Sequence, residues 1–256
     1  MLDADILSTV IFCKNEEDRI KDCIDSLLWC DEIVIIDDFS SDLTLEKIKE
    51  FNNPKIKIFR RKLNGDFASQ RNFAITKTKK NWILFIDADE IVTEPLRNEI
   101  TSVISDKTVE EVAFKVKRID HVFGKTLRYG ETGNIKFIRL ARSGFGNWQG
   151  KIHEKWVING KVGSLRNVLL HHPHREISNF LKEINYYTNI RAEELSQEGR
   201  TTNLALIIAY PSAKFLFNYF FKKGILDGIP GLISAITMSF HSFLVRGKLW
   251  SLQNKN

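Results

Sequence analysis

Residues 82–90 read Trp-Ile-Leu-Phe-Ile-Asp-Ala-Asp-Glu and combine an apolar run with three acids at its end. This uninterrupted apolar run is typical of a strand buried on both faces of a parallel sheet. Asp87 and Asp89 follow that run, with one small residue between them. Because alternate side chains of an extended chain point to the same side, we expect both carboxylates to emerge together where the strand ends.

Three more strands precede this one, each followed by a helical pattern. The predicted strands are 6–11, 32–37 and 56–59, and the predicted helices are 15–28, 40–51 and 66–78. Asn15 is the expected N-cap of the first helix, and Ser40 or Ser41 that of the second. The alternation predicts an α/β fold, a doubly wound, mostly parallel, Rossmann-like sheet whose ligand crevice lies at the carboxyl ends of the strands.

The pattern changes after a further helix that follows Thr93 and Pro95. Shorter strands are expected at 112–117 and 135–140, between glycine-rich loops, and a long helix at about 176–197. Loops of this kind belong at the mouth of the crevice, where they select the substrate.

Composition limits the class of protein. The 256 residues are 43% hydrophobic and 27% charged, which fits a globular chain and excludes wholesale disorder or a polytopic membrane protein. The three cysteines form no C-x-x-C pair, which argues against a disulfide framework or a thiolate zinc site. With no basic segment before the first apolar run, we expect a cytoplasmic protein.

The C-terminal tail, residues 200–256, carries the whole excess of positive charge. It contains seven basic residues and one acid, and 17 uncharged residues run from Ile229 to Val245. That run falls short of the roughly 20 residues that span a bilayer. We therefore expect amphipathic helices that lie on an anionic membrane surface; the alternative is a helical subdomain packed on the sheet. Nucleic acid is a poor partner, because this charge accompanies apolar residues.

Three groups of polar residues indicate nucleotide chemistry. Asp87 and Asp89 are suited to Mg²⁺ or Mn²⁺ on a diphosphate, unless they only form an acidic loop that caps the next helix. Asp37 ends the second strand, where a carboxylate can accept from a ring N–H of a base; its alternative role is helix capping. Arg71 can reach a phosphate from the third helix, or lie on a solvated face.

The chain resembles the family 2 glycosyltransferases with the GT-A fold, in particular the bacterial lipopolysaccharide-core glucosyltransferase type. The resemblance rests on six motifs in order: Cys13-Lys-Asn-Glu-Glu17, Asp31-Glu-Ile-Val-Ile-Ile-Asp-Asp38, Gln70-Arg-Asn72, Asp87-Ala-Asp-Glu90, His153-Glu154 and Gly224-Ile-Leu-Asp-Gly228. It implies inverting transfer from a nucleotide sugar. It also implies Glu16 and Asp37 near the base, Arg71 near the phosphates, and Asp87 and Asp89 at ribose and metal.

Inverting transfer needs one base that deprotonates the acceptor hydroxyl. Glu154 is our candidate, with His153 beside it to orient the site; the alternative is a surface charge between Lys151 and Lys155. The cluster of His171, His172 and His174 is a possible source of a metal ligand, since imidazole suits Mn²⁺ better than Mg²⁺, or else a polar loop.

The Gln-x-x-Arg-Trp signature of processive synthases is absent, because Thr201 follows Arg200. We therefore expect transfer of a single sugar, a UDP-linked hexose, to a glycolipid such as a lipopolysaccharide-core precursor, at the inner face of the cytoplasmic membrane. The alternatives are transfer to polyprenyl phosphate and a non-catalytic membrane adaptor. We assign nucleotide-sugar binding to residues 1–110, acceptor binding and catalysis to 111–199, and membrane association to 200–256.

Overall fold

The computed structural model describes residues 6–122, 124–131, 133, 135–150, 154–173 and 177–254. They form two compact units. The first runs to Arg118 and resumes over Lys136–His171; the second comprises Ile119–Ile135 and the residues from His172 onward. The expected division at residues 110 and 199 concerns roles, which a division by contacts does not test, and it stays a prediction.

The sheet of the first unit begins with four parallel strands in the order β3-β2-β1-β4. They are β1 (Leu7–Cys13), β2 (Glu32–Asp37), β3 (Ile56–Arg60) and β4 (Trp82–Asp87). Phe12 of β1 pairs with Asp87, and Cys13 pairs with Asp37. This register brings the carboxyl ends of β2 and β4 to the same edge of the sheet, as the alternating pattern predicted.

Beyond β4 the sheet becomes mixed, in the order β4-β8-β6-β11-β5. These strands are β5 (Glu90–Val92), β6 (Ala113–Val122), β8 (Ile135–Arg142) and β11 (Val162–His171), and a short β7 (Lys125–Thr126) pairs with the end of β6. β8 runs antiparallel to β4, and β5 antiparallel to β11. A separate hairpin joins β9 (Gly146–Gln149) to β10 (Lys155–Ile158).

Four helices complete the first unit: α1 (Ile20–Asp25), α2 (Thr44–Lys49), α3 (Phe67–Ile75) and α4 (Glu94–Ser105). Asp66 caps α3 and Thr93 caps α4, each by accepting from an amide three residues on. The expected caps of α1 and α2 are wrong. Asn15 has a left-handed φ of 55° and accepts from the Ser41 amide, so α1 begins only at Ile20.

The core explains why these segments are strands. Every residue of β2 is buried, and in β4 the residues from Trp82 to Ile86 are buried on both faces of the sheet. Phe85 is fully buried and packs edge-on against Trp148 and Trp156 of the hairpin. Burying both faces of a strand requires the apolar run that the sequence shows.

The second unit is mainly helical. It contains α5 (Ile177–Gln197), α6 (Leu204–Leu216), a π-helical turn at Phe217–Phe221, a 3₁₀ turn at Gly224–Asp227 and α7 (Gly228–Gln253). Both α6 with its π-helical turn and the segment Gly224–Gln253 are long and apolar enough to cross a membrane, by length and composition alone. α7 is longer than the 17-residue uncharged run of the sequence, and it includes Arg246 and Lys248.

Candidate active site

Asp87 is held at the end of β4 by two arginines. Arg139 of β8 donates from Nη2 to Asp87 Oδ2 at 2.7 Å, and Arg71 Nη2 lies 3.5 Å from Asp87 Oδ1. Burial alone would raise the pKa of Asp87, but these guanidinium groups outweigh it and hold the pKa well below its usual range. Asp87 therefore stays ionised and fixed in direction.

The same Arg139 Nη2 donates to Glu90 Oε1 at 2.6 Å, and Glu90 Oε2 accepts from the Asp87 amide at 2.9 Å. Glu90 is fully buried. Burial raises the pKa of Glu90 to about 7; Arg139 acts in the opposite direction, and the charge of Asp87 acts with burial. Glu90, the first residue of β5, thus links the end of β4 to β8.

Asp89 has a different partner from Asp87. Its Oδ2 lies 3.1 Å from His171 Nε2, at the end of β11. His172 instead lies beside His121 in the second unit, with ring centroids 5.2 Å apart. His174 is outside the described residues. His171 therefore contacts an aspartate of the motif. Neither Asp87 nor Asp89 caps the next helix, since Thr93 does so.

Arg71 lies on the inner face of α3, and only 11% of its side chain is exposed. Its guanidinium carbon lies 4.9 Å from the Phe12 ring centroid and 4.6 Å from that of Trp148. Nε donates to Glu154 Oε1 at 2.8 Å, whereas Nη1 is buried and has no hydrogen-bond partner among the described residues. The alternative of a solvated helix face is therefore wrong, and Arg71 retains a donor for a bound anion.

The neighbours of Arg71 fix its position. Gln70 Nε2 donates to the Arg61 carbonyl at 2.8 Å. Asn72 accepts from the Trp148 amide at 2.8 Å and donates to the Trp148 carbonyl at 2.9 Å, so it pairs with the edge of β9. Each residue of the Gln70-Arg71-Asn72 motif therefore has a distinct contact, and the two amides place Arg71 against the aromatic rings.

Glu154 lies just before β10, and 15% of its side chain is exposed. Its pairing with Arg71 contradicts the alternative of a free surface charge. Within the described part of the chain, only Oε1 is engaged, by Arg71. His153 lies outside the described residues, so its role stays a prediction.

Asp37 is fully buried at the end of β2. Its carboxylate accepts from the Ser40 amide at 3.0 and 3.3 Å and from Arg60 Nε at 3.1 Å. The intervening Phe39 has a left-handed φ of 55°, and Arg60 lies over its ring at 4.5 Å. The capping alternative for Asp37 is wrong, because α2 begins at Thr44 after Leu43 and has no side-chain cap; Asp37 instead shapes the turn that contains Phe39. A bound base would meet a carboxylate that already has donors.

Glu16 lies in the turn after β1, where its amide donates to Thr44 Oγ1 at 2.8 Å and its carboxylate lies 3.5 Å from Arg19. The two residues expected near the base therefore stand at the ends of adjacent strands β1 and β2. Their contacts to a base stay a prediction.

Sequence reasoning missed Arg139 and gave Glu90 no role. A signal was present in both cases. Arg139 lies on the same side of β8 as Phe137 and Ala141, so a basic residue stands among apolar ones there, and Glu90 is the fourth residue of the acidic motif. A buried arginine requires a buried carboxylate nearby, but only the strand order places β8 beside β4.

Comparisons with known proteins identify the family of this chain. The model of the family described as Glycosyl transferase family 2 matches residues 8–162. The chain is 31% identical to the lipopolysaccharide core biosynthesis glycosyltransferase LpsC of Rhizobium meliloti, over 95% of this chain and 92% of that protein. It is 26% identical to an uncharacterized glycosyltransferase of Rickettsia typhi, over 98% and 88%.

Two solved structures share the fold. Mannosyltransferase PcManGT of Pyrobaculum calidifontis, in complex with GDP-Man and Mn²⁺, has a TM-score of 0.57 at 12% identity, covering 98% of this chain and 88% of that one. S. aureus TarS 1–349, in complex with UDP-GlcNAc, has a TM-score of 0.52 at 14% identity, covering 97% and 91%. The expected GT-A fold is confirmed. With the family match over more than half of its length, the chain belongs to glycosyl transferase family 2 and is a glycosyltransferase.

Proposed function

We propose that this protein is an inverting, non-processive transferase that moves a hexose from a UDP-linked donor to a glycolipid such as a lipopolysaccharide-core precursor. The observation that carries the proposal is the convergence of Arg71, Asp87 and Glu154 at the carboxyl ends of the parallel strands. Arg71 supplies buried N–H donors, and Asp87 and Glu154 supply carboxylates. The similarity to LpsC along nearly the whole chain supports the acceptor class.

The donor is held by residues of the first unit. Arg71 Nη1 binds a phosphate oxygen, because a buried guanidinium donor without a partner is costly until an anion satisfies it. Asp87 accepts from the ribose hydroxyls, and Asp37 and Glu16 lie by the base. The two arginines on Asp87 keep it a pure acceptor, which suits a hydroxyl donor.

The residues present fit a divalent cation at Asp89 and His171. Asp89 Oδ2 and His171 Nε2 lie 3.1 Å apart, close enough for both to bind one cation, and a carboxylate oxygen and an imidazole nitrogen are both donors that Mn²⁺ accepts. No group of three or more His, Cys, Asp or Glu ligands occurs among the described residues, which suits a cation that also binds donor phosphates. Such a cation neutralises the charge that develops on the leaving diphosphate. We propose Asp89 and His171 as its ligands, with Asp87 beside them.

Glu154 acts as the general base. It takes the proton of the acceptor hydroxyl while that oxygen forms a bond to the anomeric carbon of the donor. The bond from this carbon to the diphosphate oxygen breaks on the opposite face, and the diphosphate leaves with the electron pair, so the configuration inverts. His153 orients the acceptor side of this site.

The C-terminal tail brings the enzyme to the inner face of the cytoplasmic membrane. Large apolar side chains are exposed along it, among them Leu204, Phe221 and Ile229, each more than 70% exposed. Exposed apolar surface of this extent indicates a membrane or protein contact. Lys248 faces inward, since its Nζ donates to Asn185 and Thr188 of α5, so the outward charge is smaller than the sequence suggested.

The test compares Glu154→Gln with Glu110→Gln, an exposed carboxylate that serves as the matched control. A glutamine can still accept from Arg71 Nε, so donor affinity measured by calorimetry should be unchanged. Turnover at saturating donor and Mn²⁺ should fall about a hundred- to ten-thousand-fold, the usual contribution of a positioned base.

Unchanged turnover with a glycolipid acceptor would remove Glu154 from this role. If turnover were instead seen only with polyprenyl phosphate and were insensitive to the substitution, the alternative acceptor would hold, since a phosphate oxygen needs no strong base. Absence of donor binding and donor hydrolysis under all metals would favour the membrane adaptor.

A further inference from the structure

A pocket of about 430 Å³ lies within the second unit, lined by residues of α5, α6 and α7 and of the π-helical turn after α6. Three cations line it, one from each helix: Arg191, Lys214 and Arg246. Tyr210 and Phe217 contribute aromatic walls, and no acidic residue lines the pocket among those that the structure describes. A pocket with this lining favours an anion that carries an apolar part.

The three cations differ in how their charge is neutralised. Arg191 Nη1 lies 2.8 Å from Glu194, and Lys214 Nζ lies 2.7 Å from Glu131. Arg246 stacks on Tyr210 with its guanidinium carbon 4.0 Å from the ring centroid, and it makes no ion pair to a carboxylate within the described part of the chain. Stacking fixes the plane of the guanidinium while its N–H edge keeps its donors.

We infer that this pocket is a specific binding site for a phosphate ester, namely the headgroup of an anionic lipid. An arginine fork matches the geometry of phosphate oxygens, and Lys214 adds a point charge from the facing helix. The apolar walls and the exposed apolar residues of the same unit suit the lipid part of an amphiphile better than a free ion. The inference rests on the proposed membrane association. It assigns the attraction between the tail and an anionic membrane to one discrete site and not to the net charge of the tail.

The test uses the full-length protein and flotation with two kinds of vesicle: phosphatidylcholine alone, and phosphatidylcholine with phosphatidic acid. Arg246→Gln removes one charge inside the pocket. Lys223→Gln removes one charge from the same tail outside it and is the matched control. Diffuse attraction predicts the same loss for both variants, about fivefold per basic residue near the surface.

A specific site predicts an unequal result. Arg246→Gln should weaken binding to the phosphatidic acid vesicles about tenfold more than Lys223→Gln does, because it removes a charge-assisted hydrogen bond as well as a charge. Arg246→Lys keeps the charge but loses the planar guanidinium donors, so it should weaken binding by an intermediate amount. If Arg246→Gln fails to fold, the comparison of Arg246→Lys with the wild-type protein tests the site instead. Equal losses in the two glutamine variants would overturn the proposal.

Calorimetry with inorganic phosphate and with glycerol 3-phosphate distinguishes the two sources of the anion. Weak binding of these ions, beside tight Arg246-dependent binding of vesicles, supports the lipid headgroup. Tight Arg246-dependent binding of the free ions without any preference for phosphatidic acid vesicles would overturn it. Binding of the nucleotide-sugar donor is measured separately, without vesicles. Loss of donor binding would refute the proposed transfer and would not affect the lipid site. Loss of the Arg246-dependent preference for phosphatidic acid would refute the lipid site and would not affect the proposed transfer.

Discussion

Replacing Arg139 by methionine tests whether the buried charge cluster organises the site. Arg139 Nη2 contacts Asp87 at 2.7 Å and Glu90 at 2.6 Å, and its side chain is 6% exposed. Methionine fills a similar volume without charge. In this variant the fully buried Glu90 loses its closest cation, whereas Asp87 still contacts Arg71.

The expected magnitude follows from that burial. Removing one partner of a buried ion pair typically costs about 3–5 kcal/mol, because the remaining carboxylate is left uncompensated or must take up a proton, and Arg139 is the group that most lowers the pKa of Glu90. With a urea dependence of about 2.5–3 kcal/mol per molar, the midpoint of unfolding should fall by about 1–2 M. The free energy of unfolding of a domain is only about 5–15 kcal/mol, so the loss would be large.

The assay is urea unfolding followed by near-ultraviolet circular dichroism in mild detergent. Lys21→Met is the control, because Lys21 pairs with Glu50 at the exposed surface and such pairs contribute about 0–1 kcal/mol. Adding Glu90→Gln to Arg139→Met should recover a large part of the loss, since no charge then remains at position 90. An Arg139→Met midpoint equal to that of the control, or no recovery in the double variant, would refute the reasoning.

Three further outcomes are expected. Asp89→Ala should abolish Mn²⁺-dependent thermal stabilisation and turnover while the fold remains intact; near-normal turnover that resists EDTA would contradict the metal assignment. Asp227→Ala should speed tryptic cleavage after Arg128, because the carboxylate accepts from the Arg128 and Tyr129 amides at 3.3 and 2.9 Å, and an unchanged cleavage rate would show that it does not hold this loop. Burial alone would raise the pKa of Glu32, but hydrogen bonds chiefly from Lys57 and Ser8 lower it. The carboxylate therefore stabilises the fold above the unfolded pKa of about 4.3, and the stability lost in Glu32→Gln should shrink as the pH falls below that value; a constant difference in urea unfolding between neutral and acid pH would contradict this.

The parallel half of the fold can be predicted from the amino-acid sequence. The runs in β2 and β4 are apolar without interruption. Only a strand covered on both faces buries such a run, so the local sequence pattern predicts both the strand and its burial. The sequence also shows an acid at the end of each of these runs. Because the carboxyl ends of parallel strands share one edge of the sheet, these acids are expected at that edge. Capping was less predictable. Asn15 instead adopts a left-handed conformation and accepts from the Ser41 amide, 26 residues away along the chain.

The pairing of charged side chains depends on the three-dimensional fold and could not be predicted. Asp87 and Asp89 are neighbours in sequence, yet one faces Arg139 and Arg71 and the other faces His171. The partners lie 16 to 82 residues away along the chain, and the strand order that brings β8 next to β4 leaves no local mark on the sequence. Electrostatic energy depends on distance and burial in space, and for contacts of this range the sequence supplies the charges while the fold supplies the distances.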